Sequence, residues 1–276
     1  MNSIEKAPAD KIVAVKYIQW IGGPTTLLQL GSFKILIDPI LGPKSKVAFR
    51  IKKHPITGEL NAPVERYTNP AAFDKKNIDI LLISHPHPDH IDDKAVELLD
   101  KNLLTVTTTV SVAKMVEYGF ANTEGLEWQD EIILQKESES LRIVAMKAMH
   151  AKEGSLNSEL GKVNGYIIEY TNPAELYRIY CTGDTVWFED IKKYQKIGTI
   201  NLLIPNLGAV GLGERGLNAE QCMKIVKALN PQQIIPVHHS TFSHYTEPIT
   251  VFEEQIAKTI YRDRLKVIDL GTIVQL

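Results

Sequence analysis

Residues 80–90 read Ile80-Leu81-Leu82-Ile83-Ser84-His85-Pro86-His87-Pro88-Asp89-His90, a short apolar run followed at once by three histidines, two prolines and an aspartate. The run has the length and character of a strand buried on both faces. The polar residues therefore stand at a strand's C-terminal end. Neutral imidazole nitrogens and carboxylate oxygens suit zinc and related first-row ions. Side chains two apart in an extended segment share a face, which pairs His85 with His87, while Asp89 and His90 project elsewhere as the chain turns toward a helix. One loop can then serve two metals. Pro86 and Pro88 fix φ and keep the residues before them out of the helical region, so the loop is stiff before any metal arrives. The bland alternative is a solvated polar turn. Three histidines from a chain with 8 in all, spaced H-x-H-x-D-H, argue against it.

On the N-terminal side, Ile12 to Trp20, Thr25 to Leu30 and Phe33 to Ile37 read as strands, with turn signals at Gly22-Gly23 and Gly31-Ser32; Ile78 to Ser84 is the strand feeding the histidines. On the C-terminal side the period changes. Asp92 or Asp93 can cap a helix reaching about Asp100, Leu103 to Thr107 is strand-like, and Val110 to Tyr118 is a helix ended by Gly119. Strands follow at Ile132 to Gln135, Leu141 to Ala148, Val163 to Tyr170 and Tyr177 to Cys181. Asn218 to Leu229 reads as a helix in which Gln221 completes a capping box and which Pro231 stops. Ile234 to Val237 is a short buried strand. Pro248 to Arg262 is a helix with Ile249, Phe252, Ile256 and Ile260 on one face, and Leu265 to Ile268 and Thr272 to Val274 are closing strands.

The halves echo each other in order. IVAVK at 12–16 resembles IVAMK at 143–147, KILIDP at 34–39 is answered by RIYCTGDT at 178–185, and LLIS at 81–84 by LLIP at 202–205. A duplication implies two β-rich halves with facing sheets and helices outside, hence a four-layer αβ/βα sandwich in the α/β class. Residues 1–276 read as a single domain with one long irregular insertion at about 41–70. That insertion holds Pro43, Pro55, Pro63 and Pro70 and the basic cluster Arg50, Lys52, Lys53, His54. It is either a solvated excursion or a lid whose cations meet an anionic substrate.

Of 276 residues, 44% are hydrophobic and 23% charged, which excludes disorder as the main state. A net charge of -2 gives no electrostatic case for nucleic acid or an anionic membrane as partner. The two cysteines, Cys181 and Cys222, are too few for a disulfide framework, lack C-x-x-C spacing and read as small core residues. The N-terminal residues lack the apolar stretch of a secretory signal and no run is long enough to span a bilayer, so the expected location is cytoplasmic. Homo-oligomer formation stays open.

The HPHPDH loop after a strand, within a β-rich start and an α/β continuation, resembles the metallo-β-lactamase superfamily over most of the chain. The resemblance implies that later strand ends add a His, an Asp and a final His. His150 ends LRIVAMKAM, Asp184 sits in YCTGDT and His238 follows IIPV, in that order. It further implies that His85, His87 and His150 hold one metal, that Asp89, His90 and His238 hold another, and that Asp184 bridges them. The ions would be two divalent cations, zinc first, with manganese or iron also suited. PVHHSTF is similar to the H-W-G-T-F segment of the branch containing L-ascorbate 6-phosphate lactonase and the phospholipase D acting on N-acylphosphatidylethanolamine. That likeness selects His238 over His239 as ligand.

Asp38 in ILIDP reads as an outer partner that orients a ligand histidine, against a plain strand-end turn residue before Pro39. Asn206, His239 and Tyr245 are expected at the substrate pocket, and His244 or Tyr245 as proton donor. Gly208, Gly211, Gly213 and Gly216 lack the spacing of a phosphate-binding fingerprint and read as a rim loop. The resemblance implies a dinuclear hydrolase whose metal-bridging hydroxide cleaves an ester, lactone or phosphodiester of a small, anionic substrate. The rivals are a metal-binding protein without turnover and a nuclease; a secreted β-lactamase would need the export signal that is missing.

Overall fold

Alternate residues of the central strands enter two different cores, which is why these runs are apolar throughout. In the strand before the histidine loop, Ile80 and Leu82 face one core while Leu81 and Ile83 face another. The computed structural model describes residues 14–276 except Glu153. Strands β1 (Lys16–Gly22), β2 (Thr25–Leu30) and β3 (Phe33–Ile37) form an antiparallel meander. A hairpin of β4 (Ser45–Lys53) and β5 (Leu60–Arg66) follows. Then β6 (Ile80–Leu82), β7 (Leu104–Thr108) and β8 (Thr123–Leu126) extend the first sheet in parallel, joined by α1 (Asp93–Leu98) and α2 (Val112–Glu117).

The second sheet starts with the antiparallel strands β9 (Glu131–Lys136), β10 (Glu139–Ala148), β11 (Val163–Asn172) and β12 (Glu175–Cys181), and continues in parallel through β13 (Leu202–Ile204) and β14 (Gln233–Ile234). Helix α3 (Ser155–Leu160) lies between β10 and β11; α4 (Ala219–Leu229) and α5 (Ile249–Ala257) flank β14. β15 (Ile273–Gln275) returns to pair with β1. The sheet orders are β15-β1-β2-β3-β6-β7-β8 and β14-β13-β12-β11-β10-β9.

One core lies between the sheets, where Leu28, Ile35 and Val106 meet Ile143, Tyr166 and Ile179. A second packs α1 and α2 behind the first sheet through Ala95, Leu99 and Met115. A third packs α4 and α5 behind the second through Cys222, Val226, Phe252 and Ile256. This is the expected four-layer arrangement. Cys181 and Cys222 are free and buried in these cores. The internal echo is also topological: β1, β2, β3, β6 and β7 correspond to β10 through β14, three antiparallel strands and then two parallel ones. Ile12 and Val13, within both the echo and the expected first strand, lie outside the described residues. Asp38 follows β3 as Asp184 follows β12, so the repeated strand pattern brings two carboxylates to one edge of the sandwich.

Several expectations need correction. The stretch 41–70 is not irregular, because residues 45–66 include the β4–β5 hairpin, with Phe49 opposite Val64 and Ile51 opposite Ala62. The last long helix ends at Ala257, and Ile260 is 81% exposed rather than on its buried face. Leu265 to Ile268 makes a single bridge at Leu265, and Ile234 to Val237 is strand only at Gln233–Ile234. Asn218 does cap α4 by accepting from the Gln221 amide at 2.9 Å. The Gln221 side chain, however, accepts from Trp187 N and donates to Gly213 O instead of closing a capping box. Among the described residues no helix is long and apolar enough to cross a membrane.

Candidate metal centre

Tyr166 Oη donates to the carbonyl of Ile83 at 2.9 Å, and the Asn164 amide donates to Ser84 O at 3.0 Å, so β11 clamps the base of the histidine loop to the facing sheet. The loop then turns tightly, with the His90 and Ile91 amides donating to His87 O. Asp92 caps α1 by accepting from Ala95 N, and its two carboxylate oxygens also accept from the amides of Leu41 and Gly42. Both ends of the loop are thereby fixed.

Its side chains converge with three distant ones on two adjacent clusters. In the first, His85 Nε2 lies 2.9 Å from His87 Nδ1, which is 3.1 Å from His150 Nε2. In the second, His90 Nε2 lies 3.2 Å from His238 Nε2 and 3.2 Å from Asp184 Oδ1, and His238 Nε2 is 3.5 Å from Asp89 Oδ2. Asp184 faces both: Oδ1 is 3.4 Å from His238 Nε2, and Oδ2 is 3.7 Å from His150 Nε2. All of these residues are buried except His87, which is half-buried.

Outer partners orient three of these rings. His90 Nδ1 lies 2.9 Å from Asp38 Oδ2, an acceptor, so its Nε2 is the nitrogen turned into the second cluster, free to bind once its proton is displaced. His150 Nδ1 donates to the carbonyl of Arg215 at 2.9 Å, which aims its Nε2 at the first cluster. Ser84 Oγ donates to Asp38 Oδ2 at 2.7 Å and can accept from His85 Nδ1 at 3.0 Å, freeing His85 Nε2. Lone pairs that converge at such distances repel one another unless a cation sits among them. The donor set of imidazole and carboxylate fits a divalent first-row ion.

The charge states agree. Burial pushes His85 and His150 below the ordinary imidazole value and His87 down to about 4, which keeps them neutral. Burial would raise Asp89 and Asp184, but His238 and His244 beside Asp89, and His238 and His90 beside Asp184, hold both well below the carboxylate range. Burial would also lower His90, yet Asp184 and Asp38 hold it well above its usual value in the metal-free chain. Asp38 and His238 adopt left-handed φ of 42° and 61°, a backbone strain that non-glycine residues accept where the surroundings over-determine it.

A family model described as the beta-lactamase superfamily domain matches residues 17–238. The chain belongs to that superfamily. Its fold is the metallo-β-lactamase fold. This superfamily member is 29% identical over 253 residues to a UPF0173 metal-dependent hydrolase of Thermococcus onnurineus, covering 90% of this chain and 94% of the relative. Among solved structures it is similar to a possible metal-dependent hydrolase of Veillonella parvula, with TM-score 0.78, 21% identity and coverage of 96% and 100%. It is also similar to an isothiocyanate hydrolase from Delia radicum gut bacteria, with TM-score 0.77, 21% identity and coverage of 94% and 98%.

The three side chains expected at the substrate pocket, and His244, expected as a proton donor, are placed as follows. Asn206 is buried, and its Nδ2 donates to Asp184 Oδ1 at 2.9 Å, so it orients that carboxylate instead of lining the pocket. His239 turns away from the clusters and packs on Trp20, ring centroids 4.7 Å apart. Tyr245 lies against the His238 ring at 4.3 Å with its hydroxyl buried and unpartnered. His244 does line the cavity over the clusters, but its Nε2 sits 3.0 Å from Asp89 Oδ2 and its Nδ1 is buried without a partner. That contact ties its ring to the Asp89 carboxylate.

The cavity measures about 570 Å³, and its far wall is the β4–β5 hairpin. Sequence reasoning missed Ser84 and Arg215. Ser84 could have been suspected from its place beside three histidines, whereas the Arg215 carbonyl carries no sequence signal.

Proposed function

We propose that the chain is a hydrolase working with two divalent ions, His85, His87 and His150 holding one and Asp89, His90 and His238 the other. Asp184 gives one oxygen to each. The observation that carries this reading is the position of that carboxylate, with Oδ1 3.2 Å from His90 Nε2 and Oδ2 3.7 Å from His150 Nε2. Zinc is the first candidate, with manganese and iron also compatible with the donor set.

When bound, such ions supply Lewis acidity and lower the pKa of water toward neutrality. The chain's own residues do the positioning. Asp38, Ser84 and the Arg215 carbonyl hold protons on the outer nitrogens of His90, His85 and His150, keeping the inner nitrogens free. Asn206 orients Asp184, and His244 holds a proton at Nε2 against Asp89. The hairpin and α3 shield the cavity from bulk water while leaving it open to a small molecule. The bond cleaved is an ester or lactone, or a phosphodiester.

Metal analysis of freshly purified protein, coupled to assays on esters, lactones, an isothiocyanate and bis(p-nitrophenyl) phosphate with each metal restored, tests the proposal. Metal-dependent turnover of an ester, lactone or phosphodiester is expected. Saturated metal sites with no turnover of any of these would instead mark a binding protein, and cleavage confined to polynucleotides a nuclease.

A further inference from the structure

The cavity over the clusters has two kinds of wall. Phe49, Ile51 and Leu60 of the hairpin, Leu156 and Leu160 of α3, and Val210 present apolar surface. Among its polar lining are four cations, Arg50, Lys52, Lys53 and Arg215. Two of them are engaged by the protein itself: Arg50 Nη1 donates to the carbonyl of Asn61 at 2.7 Å, and Lys52 Nζ pairs with Glu159 at 2.7 Å. Arg215 differs. Its side chain makes no ion pair or hydrogen bond among the described residues, and its Nε is buried without an acceptor. Its main chain is nonetheless fixed, because its carbonyl accepts from His150 Nδ1 at 2.9 Å.

None of the acids that line this cavity pairs with Arg215. Glu159 lies within electrostatic reach of it but bonds Lys52, and Asp89 and Asp184 point into the clusters. A planar guanidinium with unused N–H groups, its Nε buried beside a cavity, matches a carboxylate or phosphate through two parallel hydrogen bonds.

We propose that Arg215 is the anion anchor of this cavity and that the ligand class is an amphipathic oxyanion. Its apolar arm lies on the hairpin and α3, and its carboxylate or phosphate meets the guanidinium. Which bond is cut rests on the hydrolase reading above; the binding claim does not. The basic cluster of the hairpin, the obvious candidate from sequence, contributes at most Lys53 at the rim.

Equilibrium binding of 4-phenylbutyrate, 4-phenylbutyl phosphate and the neutral 4-phenylbutyramide to the full-length, metal-loaded protein tests this. The wild type should bind at least one anion about 10- to 100-fold more tightly than the amide, the range of a charge-assisted hydrogen-bonded pair. Arg215→Met should reduce that preference to about 2-fold at unchanged metal content, and Arg215→Lys should keep part of it. Arg215→Gln takes the place of the Met variant if the latter does not fold. Acetate, lacking the apolar arm, should bind at least about 10-fold more weakly than 4-phenylbutyrate. Equal binding of anions and amide to the wild type, or a preference that survives loss of the guanidinium, would overturn the proposal. Arg215-dependent binding without turnover of any ester, lactone or phosphodiester would sustain it while removing the hydrolase reading alone.

Discussion

Asp38 and His90, 52 positions apart, meet through a 2.9 Å contact between Oδ2 and Nδ1, and the same carboxylate also accepts from the amide and hydroxyl of Ser84 at 2.7 Å each. One buried acid thus sets the tautomer of a candidate ligand and the start of the loop that carries it. Asp38→Ala should weaken metal binding about 10- to 100-fold, as loss of an outer partner does elsewhere. Asp38→Asn should do comparable harm despite its equal size, because one of its two faces must present N–H groups to a donor. Competition against a chelator reads both, and a harmless Asn substitution would show that the carboxylate acts by packing alone.

The fold was legible where the physics is local. β2, β3 and β10 to β12 announce themselves by runs rich in Val, Ile, Leu and Tyr, and the histidine loop by its density of ligands. His150, Asp184 and His238 were found through the resemblance to the superfamily, because a lone His or Asp just past a strand carries little signal by itself. The hairpin was missed although Phe49, Ile51, Ala62 and Val64 alternate properly, because Arg50, Lys52 and Lys53 fill the intervening positions and Pro63 suggests a loop. That proline is tolerated since β4 is the one strand paired with β5 among the described residues, and the bridge on the other side, to Phe242, comes further along at Arg66. The roles of Asn206, His239 and Tyr245 depend on rotamers and neighbours that no spacing rule supplies.

His90 makes metal uptake pH-dependent. Its folded pKa in the metal-free chain is raised above the ordinary value of 6.5, so at neutral pH it carries a proton that an incoming ion must displace. The stability this proton confers is present below about pH 6.5 and is lost as pH rises through the raised folded value. His85 and His87, already neutral, and Asp89 and Asp184, already ionised, release none. Calorimetric titration in buffers of different ionisation enthalpy should show at least about one proton released per chain at pH 7, with affinity rising as pH increases. Zero net release would contradict this placement of charge.

Gly208 touches His238 so closely that a Cβ there would stand 2.6 Å from its Nδ1 and 2.9 Å from its carbonyl oxygen. Gly208→Ala should displace the ring, lower stability by roughly 1–3 kcal/mol as overpacking does, and reduce bound metal. Thermal unfolding with and without metal measures both. An Ala variant of native stability and full metal content would mean that the contact is slack.

His244 should prove to be a positioning residue. His244→Gln can still offer an N–H to Asp89 and should keep most of the metal and of any turnover, whereas His244→Phe should lose about 10-fold or more in metal affinity. If the Gln variant binds metal normally but loses all turnover together with one limb of the pH–rate profile, His244 moves protons after all.

The central claim is that two cations share the Asp184 carboxylate, and elemental analysis of metal-saturated wild type beside Asp184→Ala tests it most directly. The account predicts two equivalents of divalent metal per wild-type chain and no more than one in the variant, at unchanged fold by circular dichroism. A wild type saturating at one equivalent, or an Asp184→Ala protein retaining two, would contradict it.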